Sequence, residues 1–506
     1  MNMEIQGKKL ISNTFYFFLD FVVGTLLGLI FWYMAGKTLV PADLGKLSTS
    51  LNLAYVLSAV SLLGMNYAVW KLIPEYIETK KEKKVISLVR FSLEVTLITN
   101  LIILAVFFAF PDYLSTVLKV DISSIQITGL IVFFLSFSWQ FGFILWGLQD
   151  IKKLFLTDFM SQIPRILIPA VLIFLNIRLI GLFLGFLAGV SVATISRIFS
   201  TQFIGAGEKI NKREVFFSYG IPAAISTAAS IFFLNGQYVL LTILKNTEIT
   251  GRFTIAMTLT SFLYLIPNVL TSALLPISSQ LSVKQKQKEN LARFIELIFR
   301  YSLFFTLPIA IFFLFFPEQI ILVFSRTEYL SASPLFPLLS FSSLIYGLGY
   351  NFLQNLYAVG KPKLNRNIYI FTSILFLFLS IPLISAFSDQ GLALSYLLSS
   401  SFLFVSSYYS IRKFLKVKIP LGNIIKLIPA LFFMFLFIYL TKFYFSGLFY
   451  SIVFSLLSLV IYSLMLIPFR FYIKEDWMVL NFLSNKSPIF RNQFKRIFEF
   501  LKRFVK

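Results

Sequence analysis

Four ionisable residues interrupt otherwise apolar stretches of the chain: Asp20, Arg90, Glu94 and Arg165. A charge near the centre of a bilayer costs at least about 2.5 kcal/mol on insertion scales, so each such side chain must face protein or water, where it can do chemistry. A guanidinium meets a phosphate or carboxylate through paired hydrogen bonds. A carboxylate in the same setting can take up and release a cation or a proton. Arg90 and Glu94 stand one helical turn apart, a spacing that lets them pair on one helix face. Arg165 follows Pro164 and, like Asp20, has no partner nearby in sequence, so both are candidates for substrate or ion binding. With no Cys and no His, thiolate metal sites and imidazole relays are excluded, and no metal or cofactor is expected.

These charges need helices to carry them. In 506 residues, 58% are apolar and the mean hydropathy is +0.83, a composition that uses lipid as its outer solvent. A hydrocarbon core about 30 Å thick takes roughly 20 residues of helix. Fourteen apolar stretches of that order are legible, from 10–36 and 44–70 to 250–281, 366–387, 390–411 and 446–468. Their continuity, without alternation of period two, excludes a lipid-facing barrel. Lys and Arg number 34 on the side of the N-terminus and 8 on the other, which puts both termini in the cytoplasm and the chain in the cytoplasmic membrane. The net charge of +23 is spread over those loops and not gathered on a soluble face, so no nucleic-acid partner is expected.

The chain also repeats itself. Residues 44–57 and 250–263 align without a gap, pairing Gly45 with Gly251, Lys46 with Arg252 and Ser48 with Thr254. The same offset of 206 pairs Pro111-Asp112 with Pro317-Glu318, and it superposes Arg90 and Glu94 on Glu296 and Arg300. Six crossings return a chain to its starting side, so the copies are parallel. The expected fold is an all-α membrane protein of about fourteen transmembrane helices in two parallel six-helix lobes, 1–210 and 211–415, with two extra spans in 416–470. Residues 471–506 should form a basic amphipathic tail on the cytoplasmic lipid headgroups. Gly24 and Gly28 form a G-x-x-x-G pair expected to mark close helix packing. Two parallel bundles rocking about a cavity suit transport. An embedded glycosyltransferase or polymerase would need a larger outer loop than any here.

Several stretches carry a family resemblance: KTLVPADLGKLS (Lys37 to Ser48), LGMNYAVWKLIPEY (Leu63 to Tyr76), YGIP (Tyr219 to Pro222), GRFTIA (Gly251 to Ala256), LPISSQL (Leu275 to Leu281) and AVGK (Ala358 to Lys361). In this order the chain resembles the polysaccharide and lipid-linked oligosaccharide flippases, of the O-antigen and teichoic acid export type, within the multidrug, oligosaccharidyl-lipid and polysaccharide exporter superfamily. The resemblance implies a V-shaped pair of lobes that moves a polyprenyl-pyrophosphate-linked oligosaccharide from the cytoplasmic to the outer leaflet for cell-surface polysaccharide biosynthesis. Polymerase or glycosyltransferase machinery is the implied partner. A peptidoglycan lipid-precursor flippase and a drug/ion antiporter of the same superfamily are the alternatives. Substrate-binding candidates are Arg90, Arg165, Lys37 and Lys71, the last two at positions where the family usually carries Arg. The arginines imply a cavity of positive potential for the pyrophosphate. Ion-coupling candidates are Asp20 and Glu94, while Gln237 stands where many members have Asp.

Overall fold

The structure is a computed structural model and describes residues 3–201, 205–271, 288–444, 447–469, 471–472 and 476. All regular structure among them is helical. That follows from the solvent: in hydrocarbon a helix satisfies every backbone group within itself. The first half holds α1 (Met3–Thr38), α2 (Pro41–Ser61), α3 (Met65–Glu78), α4 (Glu82–Ala109), α5 (Pro111–Leu118), α6 (Ile122–Gly147), α7 (Ile151–Phe174) and α8 (Arg178–Ser200). A short α9 (Lys212–Glu214) and a π-helical turn (Val215–Gly220) lead into α10 (Ile221–Leu244), α11 (Thr247–Thr260) and α12 (Phe262–Thr271). Then come α13 (Lys288–Phe315), α14 (Pro317–Phe324), a 3-10 segment (Thr327–Leu335), α15 (Phe336–Ala358), α16 (Pro362–Leu415), α17 (Leu421–Tyr444) and α18 (Leu448–Met465). Proline in the first turn starts α2, α5, α14, α15 and α16, where its missing N–H removes no helical bond.

Against the fourteen crossings expected, ten helices among the described residues are long and apolar enough to span a bilayer, or twelve if each bent pair is one span. The differences have local causes. The span at 44–70 is broken at Leu63 and Gly64, both with positive φ, so α2 and α3 meet at a 52° bend. The span at 250–281 bends by 44° between α11 and α12, and its remainder lies outside the described residues. Helix α16, 54 residues long, is two helices merged across Ser388, where φ is 57° and ψ is −131°. A Cβ on Gly391 would lie 1.9 Å from the Leu383 carbonyl oxygen, so the chain folds back there as a hairpin, dividing the expected spans 366–387 and 390–411. The amphipathic tail expected near 487–506 lies outside the described residues.

The two halves of the chain meet most tightly where α2 crosses α11. A Cβ added to Gly45 would sit 1.7 Å from the Thr247 carbonyl oxygen, and one added to Gly251 would sit 1.8 Å from that of Pro41. Only glycine fits at either position. One turn further on, Thr254 Oγ1 donates to Ser48 Oγ at 2.8 Å, and Thr49 and Thr242 share a hydroxyl bond of 2.6 Å. Gly45 and Gly251, like Ser48 and Thr254, are pairs related by the 206-residue offset, so matched positions touch each other. Around them Lys37 Nζ donates to the carbonyls of Leu322 (2.7 Å) and Ser325 (2.9 Å), capping the C-terminus of α14. Tyr329 Oη donates to the Leu39 carbonyl at 3.2 Å, and Lys119 Nζ donates to the Ile243 and Lys245 carbonyls. This is the closed end of the bundle.

The contact is directly measurable because the native chain has no cysteine. In the Ser48→Cys/Thr254→Cys variant, oxidant should form an intramolecular disulfide within minutes. Adding Gly251→Leu should slow that reaction at least tenfold, as read by gel mobility of the reduced and oxidised chains.

Candidate functional site

A cavity with polar lining lies in the first half of the chain. Asp158, Ser161, Gln162 and Arg165 recur on α7 at i, i+3, i+4 and i+7, which puts them on one face. Helix α8 approaches that helix through Gly185 and Gly189: a Cβ on the first would strike Pro169 at 2.3 Å, and one on the second would lie 2.9 Å from the Ser161 carbonyl oxygen. Close approach of small residues is how helices pack where lipid supplies no hydrophobic drive. The expected packing pair behaves otherwise, since a Cβ on Gly24 or Gly28 would meet nothing within 4 Å. Between α2, α6, α7 and α8 a cavity of about 310 Å³ remains, lined by Tyr55, Trp139, Trp146, Phe186, Arg165 and Arg197 among others.

Arg197, 4% exposed in the last turn of α8, is fully engaged. Its Nη2 donates to Asp158 Oδ1 at 2.5 Å, Nη1 to the Ser138 carbonyl and hydroxyl at 2.6 and 2.7 Å, and Nε to Thr157 Oγ1 at 3.2 Å. Gly142 leaves room for this head, since a Cβ there would lie 3.2 Å from Nη1. Arg165 is held differently. Its guanidinium carbon lies 4.9 Å from the Phe31 ring centre and 4.5 Å from that of Phe186, with Tyr55 near enough to interact, and its buried Nε has no hydrogen-bond partner. Cation–π contact can keep a guanidinium charged inside apolar walls without occupying its donors. Asp20 on α1 lies within electrostatic reach of Asp158 and Arg197. The neighbourhood therefore holds two guanidiniums and two carboxylates, whereas the sequence led us to expect a cavity of net positive potential.

The other sequence candidates are elsewhere. Arg90 does not pair with Glu94: its Nη2 donates to the Gly205 carbonyl at 2.8 Å, and Glu94 accepts from Lys212 Nζ at 3.0 Å. Both partners lie on the segment that joins the halves, so this helix face holds a chain segment. At the offset positions Glu296 Oε1 accepts from the Lys418 N–H at 2.7 Å, and Arg300 Nη1 and Nη2 donate to the two oxygens of Asp476, each at 2.7 Å. Lys71 is exposed, its ammonium 4.6 Å from the Tyr219 ring centre. Lys37 belongs to the closed end described above. Of the residues singled out from sequence, the structure places Arg165 in the pocket and Asp20 within electrostatic reach of Asp158 and Arg197 beside it. It adds Asp158 and Arg197, which sequence reasoning passed over because they sit near helix ends; the seven-residue spacing from Asp158 to Arg165 was the available signal.

Comparison with known proteins bears on this arrangement. The family model described as polysaccharide biosynthesis protein matches residues 10–282, more than half of the chain, and includes every residue of the pocket. The chain belongs to that family. An uncharacterized membrane protein of Methanocaldococcus jannaschii is 27% identical over 230 residues, 43% of this chain and 44% of that one, so the match spans less than half the length of that curated relative. Among solved structures, the lipid II flippase MurJ in an inward closed conformation superposes with a TM-score of 0.70 at 17% identity, covering 88% of this chain and 97% of MurJ. A multidrug resistance MATE family transporter of the MOP superfamily, in an inward-facing conformation, superposes with 0.65 at 13% identity, covering 78% and 94%. These likenesses establish a shared fold for this polysaccharide biosynthesis family member.

Arg197 is buried but its partner Asp158 is a third exposed, so removing the arginine costs its hydrogen bonds to Ser138 and Thr157 and leaves a carboxylate that is only partly buried. Arg197→Met should therefore lower stability in detergent by about 1–2 kcal/mol, while Arg197→Met/Asp158→Leu should lose less than that. Thermal unfolding followed by light scattering separates the two.

Proposed function

We propose that the chain is a flippase that carries a polyprenyl-pyrophosphate-linked oligosaccharide from the cytoplasmic to the outer leaflet, supplying cell-surface polysaccharide biosynthesis. The observation that carries this reading is Arg165: a guanidinium with an unfilled donor, facing a polar pocket, in a family of polysaccharide biosynthesis proteins whose fold is that of MurJ. The excess of basic residues on the N-terminal side puts both termini in the cytoplasm. The closed end then faces outward, and the pocket is reached from the cytoplasm. Residues 1–210 and 211–415 act as two lobes that rock about the α2–α11 contact, with 416–470 packed beside the second lobe.

In the proposed cycle the sugar head enters the pocket while the polyprenyl chain stays in lipid. Arg165 takes an anionic group deep in the pocket, and Lys71 and Arg90, both exposed toward the cytoplasm, attract the pyrophosphate. Lys37 becomes available to the head group when the closed end parts. Asp20 is the proposed coupling carboxylate, since its neighbours Asp158 and Arg197 make its charge sensitive to what occupies the site. Glu94 is already paired with Lys212, so any coupling role there requires that pair to part. The MurJ superposition favours a peptidoglycan lipid precursor as the second reading of the substrate.

The test is flipping of a fluorescent polyprenyl-pyrophosphate oligosaccharide in proteoliposomes. The intact protein should flip it, Arg165→Ala should reduce the rate at least tenfold with the protein still folded, and Asp20→Asn should make the rate insensitive to an imposed proton or sodium gradient. Extrusion of a cationic dye without any lipid flipping would overturn the proposal.

A further inference from the structure

The flippase reading leaves open which part of the head group Arg165 meets. Every nitrogen of the Arg197 guanidinium already donates to protein, and Asp158 is its ion partner. That leaves one guanidinium with an unfilled donor, on Arg165, and one further carboxylate nearby, on Asp20. A pyrophosphate carries more than one negative charge. Set in this pocket it would find a single available cation, in surroundings where charges are weakly screened. A single carboxylate matches one guanidinium fork in both charge and width.

The walls say what should carry that carboxylate. Tyr55 and Trp139 lie as a stacked pair, 6.0 Å between ring centres and 22° between planes, and Trp146 and Phe143 continue the aromatic surface at 5.7 Å. The faces of these rings are electron-rich and attract the slightly positive C–H groups of a saturated ring. Gln162 contributes a buried side-chain oxygen with no hydrogen-bond partner, an acceptor suited to a hydroxyl. A volume of about 310 Å³ lies at the small end of the range for small-molecule sites. Aromatic faces, a free acceptor and one unfilled guanidinium together describe a sugar ring bearing an acid.

We infer that this pocket is a subsite for one acidic sugar residue of the transported head group, with its carboxylate on Arg165 and its ring against Tyr55 and Trp139. The inference rests on the flippase reading and adds a specificity to it. The subsite holds a monoanion, and the pyrophosphate stays outside. An acidic repeat unit is thereby preferred over a neutral one of the same size.

The full-length protein in lipid nanodiscs provides the test, read by quenching of its own tryptophan fluorescence. The probes are a free disaccharide containing glucuronate, its neutral glucose counterpart, inorganic pyrophosphate and a cationic rhodamine. The acidic disaccharide should bind saturably and at least tenfold tighter than the neutral one. Arg165→Gln should erase that ratio, and Arg165→Lys, which keeps the charge without the fork, should retain only part of it. Trp139→Leu should weaken both sugars together. Equal affinity for acidic and neutral sugars, or tighter binding of pyrophosphate than of the acidic sugar, overturns the inference; lipid-linked oligosaccharide still flipped in proteoliposomes would then leave the flippase reading standing. Saturable binding of rhodamine alone, with no flipping, overturns both.

Discussion

Two glycine backbones in contact set the geometry of this molecule. Where α2 crosses α11, the space beside Gly45 and Gly251 is filled by the carbonyls of Thr247 and Pro41, so the helices approach as closely as a peptide chain allows. The hydroxyl pairs Ser48–Thr254 and Thr49–Thr242 come into range because of that approach. Interhelical hydrogen bonds of this kind average roughly 0.6 kcal/mol in a membrane protein. The closed end is thus held by several weak bonds and one tight steric fit. Lys37 caps α14 in the same closure.

The pocket shows how opposite charges in one small space divide labour. Asp158 and Arg197 satisfy each other and, through Ser138 and Thr157, tie α6, α7 and α8 together. Arg165, seven residues along α7 from Asp158, packs between the faces of Phe31 and Phe186 and bonds to Tyr55, with its Nε left without a partner. The first pair positions the helices; the second arginine is left with a donor to offer. Asp20, on a different helix, lies within electrostatic reach of the first pair.

Much of the fold was legible because lipid imposes simple rules. Long apolar runs had to be helices, and the offset of 206 drew attention to Gly45 and Gly251, although nothing in the alignment said that matched positions would touch. Bends were harder to read. Leu63 adopts positive φ without being glycine, inside a stretch that reads as one span, whereas the reversal at Ser388 falls between the two spans expected there. For the site, reasoning from one helix at a time singled out Arg165 and Asp20, whose isolation is visible in sequence. It paired Arg90 with Glu94, because the nearest opposite charge is all that sequence shows; the true partners, Gly205 and Lys212, are more than a hundred positions away. Gly24 and Gly28 have the spacing of a packing motif and no neighbour, while Gly185 and Gly189 have both.

The clasps on α4 and α13 occupy matched positions yet close on very different stretches of chain. On α4 the partners are Gly205 and Lys212, so that clasp is complete once the first 212 residues exist. On α13, Arg300 is 2% exposed and its carboxylate partner is Asp476, itself 7% exposed and 176 positions later. During synthesis the second half must therefore wait, with a cation unpaired at the heart of α13, until α17, α18 and the segment beyond them have left the ribosome. A molecule cut short before that point would carry an orphaned charge in lipid, which gives the cell's membrane quality control a physical mark by which to recognise an unfinished copy.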